Sequence, residues 1–290
     1  METLARGVVW IIQRFSLSNI RLLGRVLGLV FYHLATSRRR TAHSNLNLAY
    51  GDSLSPEEKR KIAKSSFINL ATMALEFCWM PACPYKTEEI IHIENPETIL
   101  DAYKQEKGLI VLVPHMGNWE IESRWFSANG IVANIVSRSQ KQPWVNRLVR
   151  EIRAVNNVHE IDKRNALKAI LSALRRKEAV VMLIDQHSRK EAVITEFFGK
   201  PAMTTASSAL LAQRTGCVVM VGACFRCKDG RFGGAFSDPI TTQNTGDREK
   251  DLQENTQRYV MEIEKFVRKH PGDWMWMHRR WRVSGEKSSA

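Results

Sequence analysis

The stretch Val113-Pro-His-Met-Gly-Asn-Trp-Glu120 follows an apolar run, Leu109-Ile-Val-Leu-Val113. It places a histidine directly past a buried-looking strand and a carboxylate five residues later. These two residue types suit proton transfer. A carboxylate on one imidazole nitrogen fixes the tautomer and leaves the other nitrogen as a base. On a continuous helix five residues turn through about 500°, so His115 and Glu120 would not share a face. They meet if His115 lies in the turn before a helix starting near Asn118. Glu120 then sits in the first helical turn, where negative charge is favoured. No Gly-x-Ser-x-Gly elbow is present, so the pair suggests direct attack by a substrate hydroxyl rather than by a side-chain nucleophile. Asp185-Gln-His187 also follows an apolar run, and ligands of open α/β sheets gather at strand carboxyl ends. Arg138 ends a further run, and Arg153 lies in the helix after it. Either could hold a phosphate bidentately, and either reads equally as a solvated surface arginine. Asp185 reads equally as a turn residue.

The elements that must position these residues follow from periodicity. Ser55-Pro-Glu-Glu58 is a capping box with proline in the first turn. It opens a helix running towards Trp79, with Phe67, Leu70, Met73, Ala74 and Phe77 at helical spacing, ended by Pro81 and Pro84. Residues 1–85 read as all-helical. Beyond them, β-branched runs at 90–93, 109–113, 133–136, 180–184 and 217–221 alternate with helical stretches near 98–106, 119–128, 143–154, 164–177 and 204–215. A last helix spans about 249–269. This alternation predicts an α/β fold with a largely parallel central sheet flanked by helices. The division expected is a membrane-associating helical segment over 1–40, a helical lead-in over 41–85, an α/β domain over 86–283 and a polar tail over 284–290.

The chain has 290 residues, 44% of them hydrophobic, and a formal net charge of +13. Such charge favours anionic partners: nucleic acid, acidic lipid headgroups or an acidic carrier protein. Interleaved Trp and Arg suit nucleic acid, but the apolar N-terminus opposes that reading, and no nucleic-acid partner is expected. Residues 4–35 are largely apolar yet broken by Arg6, Arg14, Arg21 and Arg25, with Arg38-Arg-Arg40 following. No uncharged 18-residue stretch and no cleavable leader are evident. The segment reads as an anchor lying at a membrane face, the alternative being amphipathic helices packed on the domain. Five cysteines, an odd number, argue against a secreted disulfide framework. Cys224-Phe-Arg-Cys227 stands alone in a strand-like run, and His159, His187 and His278 lack ligand spacing, so no metal and no cofactor are expected.

Over most of its length the sequence resembles the bacterial lipid A biosynthesis acyltransferases, within the wider glycerolipid acyltransferase superfamily. The matching blocks, in the family's order, are Arg38-Arg-Arg40 leading to Asn45-Leu-Asn-Leu; His115-Met-Gly-Asn-Trp-Glu120; Arg138 with Pro143 and Arg153; Asp185-Gln186; Phe197-Phe-Gly-Lys-Pro-Ala-Met-Thr204; and Pro271-Gly-Asp-Trp-Met-Trp-Met-His-Arg-Arg-Trp281. The glutamate partner, and the absence of a Phe-Pro-Glu-Gly block, separate it from the glycerol-phosphate branch. The resemblance implies His115 as general base and Glu120 as its orienting carboxylate. It implies that Arg153 and Asp185 belong to the site, that Arg138 contacts an acceptor phosphate, and that Phe198 and Gly199 shape the acyl and acceptor pocket. Trp274, Trp276, Arg279, Arg280 and Trp281 would seat the domain at an interface or bind headgroups, or else pack on the core as a C-terminal strand or helix. The donor implied is a thioester on acyl carrier protein, or acyl-CoA. The acceptor is a hydroxyl on a membrane phosphoglycolipid, and the location the cytoplasmic face of a bacterial inner membrane.

Overall fold

A computed structural model describes residues 1–155 and 158–282; the polar tail expected over 284–290 lies outside the described residues. Four helices come first: α1 (Glu2–Ile12), α2 (Leu17–Leu34), α3 (Thr36–Tyr50) and α4 (Pro56–Trp79). Ser55 caps α4 through the expected box, its hydroxyl accepting from the Glu58 amide while Glu58 accepts from the Ser55 amide. Helices α2 and α4 pack backbone to backbone. A Cβ on Gly24 would stand 2.4 Å from Thr72 Oγ1, and one on Gly28 would stand 2.4 Å from Ile68 Cα. Only glycine permits that approach.

The remaining elements are α5 (Thr87–Ile90), β1 (Ile91–Glu94), α6 (Pro96–Lys104), β2 (Leu109–Leu112), α7 (Glu122–Ala128), β3 (Ala133–Ser137), α8 (Pro143–Ala154), β4 (His159–Asp162), α9 (Ala166–Arg175), β5 (Ala179–Met182), β6 (Ala192–Phe197), β7 (Lys200–Thr205), α10 (Ser207–Thr215), β8 (Val218–Arg226), β9 (Phe232–Phe236) and α11 (Arg248–Lys269). Seven strands form one sheet in the order β1-β9-β8-β2-β5-β3-β4. Every pairing in it is parallel except β8 with β9. The central strands β2 and β5 are buried throughout, as a parallel sheet covered on both faces requires. The fold class is therefore mixed α/β with a mostly parallel sheet flanked by helices.

Three features depart from the periodicity. The helix expected from 204 starts at Ser207, because Lys200–Thr205 pairs antiparallel with Ala192–Phe197 in a separate hairpin. Its turn, Phe198-Gly199, has positive φ at both residues, 55° and 66°, the geometry that matches strand twist in a two-residue loop. Strand β9 is Phe-Gly-Gly-Ala-Phe, whose glycines hide it from a β-propensity reading. The helix expected over 119–128 begins only at Glu122. The segment between β2 and α7 is therefore a loop.

The C-terminal aromatic block is not an exposed rim. Trp274, Trp276 and Arg280 are each 2% exposed or less. Ser66 of α4 donates to the Trp274 carbonyl (2.5 Å) and accepts from the Trp276 amide (3.1 Å). The Trp276 indole donates to the Pro271 carbonyl (2.7 Å). The rings of Trp274, Trp276 and Trp281 pack on Phe197 and Phe198. The segment closes the core because its indole N–H groups find partners there.

Beneath it lies a buried polar hub. Glu76, 1% exposed, accepts a bidentate fork from Arg226 of β8 (2.7 and 2.8 Å), a further bond from Arg21 of α2 (3.2 Å) and one from the Asn118 amide (3.0 Å). Arg226 also donates to Asn69 (3.1 Å). Truncating one partner of such a pair leaves the other buried and uncompensated. Arg226→Ala is expected to lower unfolding stability by about 3–5 kcal/mol, read by denaturant unfolding. A second buried acid, Glu122, has no conventional hydrogen-bond partner for either carboxyl oxygen among the described residues. Burial pushes it up to about 7, against the pull of the Cys224 thiol beside it. A raised carboxyl binds its proton more tightly folded than unfolded, so stability falls as pH rises from the ordinary value near 4.5 towards 7. Glu122→Gln is expected to match the wild type at acid pH and to exceed it in melting temperature at pH 8.

Candidate active site

Strands β2 and β5 are parallel neighbours, so the segments leaving their carboxyl ends emerge side by side. His115 leaves the first and Asp185 the second. The imidazole Nδ1 lies 2.7 Å from Asp185 Oδ1, and the His115 backbone N–H donates to Oδ2 (2.8 Å). The Trp274 indole donates to the same Oδ2 (2.8 Å). Asp185 is 3% exposed, while the His115 side chain keeps a fifth of its surface open. Among the described residues no hydrogen bond or ion pair engages Nε2. The Trp119 ring stands edge-on to the imidazole, 5.2 Å between centroids.

The histidine loop is held from both sides. The His115 carbonyl accepts from the Met275 amide (3.0 Å), and the Gly117 amide donates to the Asp273 carbonyl (3.0 Å). Asn69 of α4 bridges the Gly117 and Asp273 carbonyls (3.1 and 2.9 Å). Gly117 has φ of 58°, and a Cβ there would stand 2.3 Å from the Cys224 carbonyl oxygen. Only glycine fits this position.

Glu120 is placed differently from the spacing argument. It sits in the turn before α7, and its carboxylate faces α8, where Arg153 grips it bidentately (3.0 and 2.7 Å). No hydrogen bond joins it to His115; the carboxylate on the imidazole is Asp185. The physical reason is the late start of α7, which leaves Glu120 outside a helical turn and within reach of an arginine that needs a counter-charge. Arg153 also pairs with Glu160 (3.3 Å), so its guanidinium is engaged by protein carboxylates. Arg138, past the end of β3, is exposed, and no hydrogen bond or ion pair involves it among the described residues. Arg153 lines a cavity of about 530 Å³ with Ser139, Arg150, His159, Glu160 and Asp162, past the end of β3 and along β4. Phe198 is buried against Tyr50, Trp276 and Trp281, and Gly199 completes the turn. The hairpin meets the surroundings of Asp185 through Phe197 on Trp274 and through the Met203 carbonyl, which accepts from the Ser188 amide.

Sequence reasoning missed Trp274 and Asn69 as site residues. An indole in a closing segment must place its N–H on an acceptor when buried, which marks Trp274 for a polar partner without saying which.

A family model described as "Bacterial lipid A biosynthesis acyltransferase" matches residues 2–283. The chain belongs to the bacterial lipid A biosynthesis acyltransferase family. Among similar proteins are the lipid A biosynthesis lauroyltransferase of Escherichia coli K12, 25% identical over 97% of this chain and 90% of that protein, and the palmitoleoyltransferase of the same strain, 24% identical over 97% and 92%. The phosphatidylinositol mannoside acyltransferase of Mycobacterium tuberculosis CDC 1551 is 22% identical over 60% of this chain and 54% of its own. The protein is thus an O-acyltransferase of the lipid A biosynthesis type.

In this acyltransferase Asp185 is ionised. Burial alone would push its carboxyl up, but the His115 charge, the two His115 N–H groups and the Trp274 indole outweigh burial and bring it down to about 2. A depressed carboxyl stabilises the fold above its ordinary value near 3.8, and the contribution is lost as pH falls through about 2. Asp185→Asn is expected to cost on the order of 2 kcal/mol at pH 7. The gap from wild type should narrow below pH 4, read by denaturant unfolding at each pH.

Proposed function

We propose that this acyltransferase moves a fatty acyl chain from a thioester to a hydroxyl of a membrane phosphoglycolipid of the lipid A precursor type, with His115 as general base. The carrying observation is the imidazole whose Nδ1 is fixed on Asp185 at 2.7 Å and whose Nε2 has no partner among the described residues. The acceptor hydroxyl gives its proton to Nε2 as its oxygen attacks the thioester carbonyl. Asp185 holds the imidazolium that forms. The C–S bond then breaks, the sulfur takes the proton back from Nε2, and the new ester and the free thiol leave. The Glu120–Arg153 pair holds the loop between β2 and α7 against α8. An acyl carrier protein is the donor we favour, because its acidic surface complements a chain of net charge +13; acyl-CoA is the other thioester of this class.

The N-terminal helices support a location at a membrane. Among the described residues no helix is long and apolar enough to cross a membrane. Yet α1 and α2 leave Leu4, Trp10, Leu22 and Leu34 more than half exposed, with Arg14 and Arg25 among them. This is the composition of helices lying in a headgroup layer, and we place the protein at the cytoplasmic face of a bacterial inner membrane. Likeness to a phosphatidylinositol mannoside enzyme over 60% of the chain supports a second reading, in which another membrane glycolipid is the acceptor.

Purified protein incubated with acyl-loaded carrier protein and a lipid A precursor is expected to add one acyl mass to the lipid, read by mass spectrometry. Another glycolipid acylated in its place decides for the second reading. His115→Ala and Asp185→Asn should each lower turnover by roughly 10²–10⁴-fold with the fold intact. If Glu120→Gln loses as much turnover as Asp185→Asn at unchanged stability and KM, the orienting role belongs to Glu120.

A further inference from the structure

A second group of polar side chains stands beside His115, and the mechanism does not use it. Gln186-His-Ser-Arg189 continues from Asp185, and the closing segment brings His278, Arg280 and Arg282 against it. The framework is rigid. Arg280, 1% exposed, donates to the Met203 carbonyl (2.7 Å), the Gln186 carbonyl (3.4 Å) and Thr204 Oγ1 (2.5 Å). The Ser188 amide donates to the Met203 carbonyl (3.3 Å), the His278 amide to the Met275 carbonyl (3.3 Å), and the Arg280 amide to the His278 carbonyl (2.9 Å).

Among the described residues the group has cations without counter-ions. Both ring nitrogens of His187 are buried without a hydrogen-bond partner among the described residues, as is Arg280 Nε. Arg189 is exposed and Arg282 half-buried, and neither has a hydrogen bond or ion pair among the described residues. Burial lowers His187, and the charges of Arg189, Arg282 and Arg280 lower it further. Burial lowers His278 to about 4; Asp185 opposes this, while His115, Arg280 and His187 add to it. Asp185 is the one carboxylate acting on Arg280 and His278 among the described residues, and it is already committed to His115. Elsewhere in the chain buried arginines sit in carboxylate forks, as Arg226 and Arg153 do. Here the fork is missing, and a ligand anion would supply it.

We propose that His187, Arg189 and Arg282, with His278 between them and His115, bind a phosphoryl group of a substrate next to the reacting hydroxyl and thioester. This rests on the acyl-transfer reading for the identity of the substrate, not for the anion itself. The phosphoryl group has two sources of one chemistry: the phosphodiester of a pantetheine-type donor arm, or a phosphate on the lipid acceptor. Arginines grip its oxygens in pairs, and the two histidines take up protons as the anion arrives.

The test titrates inorganic phosphate into the full-length, detergent-solubilised protein and follows the His187 and His278 ring resonances by NMR. Both are expected to move together and to saturate. In Arg189→Gln/Arg282→Gln the midpoint should rise roughly tenfold or more. No shift in the wild type, or an unchanged midpoint in the double variant, overturns the site. This readout needs no turnover, so it can succeed or fail independently of acyl transfer. In the steady-state reaction, phosphate competing with the thioester assigns the site to the donor, and phosphate competing with the lipid assigns it to the acceptor. Competition with neither overturns the substrate role.

Discussion

Asp185 is a buried carboxylate with three donors, and the geometry of the site depends on it. It takes the imidazole and the backbone amide of His115 and the indole of Trp274, so it ties the end of β2, the end of β5 and the closing segment into one point. An isolated carboxylate at this depth would be costly to ionise. Three donors and a facing imidazole reverse that balance, and the same contacts fix the tautomer of His115. The hydrogen bonds that stabilise the buried carboxylate are therefore the same ones that orient the imidazole.

That point needs support, and the support is polar and long-range. Glu76 on α4 collects Arg226 from β8, Arg21 from α2 and Asn118 from the histidine loop. Asn69, two turns earlier on the same helix, bridges the two carbonyls that clamp Gly117. The inward faces of α2 and α4 thus hold the histidine loop, while α1 and α2 leave Leu4, Trp10, Leu22 and Leu34 exposed. On the proposed reading, the helices that would meet a headgroup layer are packed on the helix that positions His115.

Two groups of arginines near the strand ends stand in opposite electrostatic states. In one, Arg153 is neutralised by Glu120 and Glu160 and acts as a strut. In the other, Arg189 and Arg282 have no carboxylate partner among the described residues, beside two histidines whose proton affinity burial lowers. A completed ion pair stabilises the fold; an incomplete one is available to a ligand. The difference lies in which loops carry carboxylates, not in the arginines themselves.

The sequence by itself determined what is local. The capping box at Ser55, the buried runs of β2 and β5, the strand–helix alternation and the placing of His115 at a strand end are all set by residues within a few positions of one another. It also carried the blocks that mark the family. Tertiary structure decided the partners. His115 and Asp185 are 70 residues apart and Trp274 lies 89 residues beyond Asp185, so no periodicity connects them. Glu120, near in sequence, was the obvious partner, and it lost the place because α7 starts at Glu122 and Arg153 stood within reach. The β6–β7 hairpin and the glycine-rich β9 were hidden for the same reason. Strand pairing is settled by which backbone groups meet across space, and local propensity says little about a segment whose hydrogen bonds lie elsewhere in the chain.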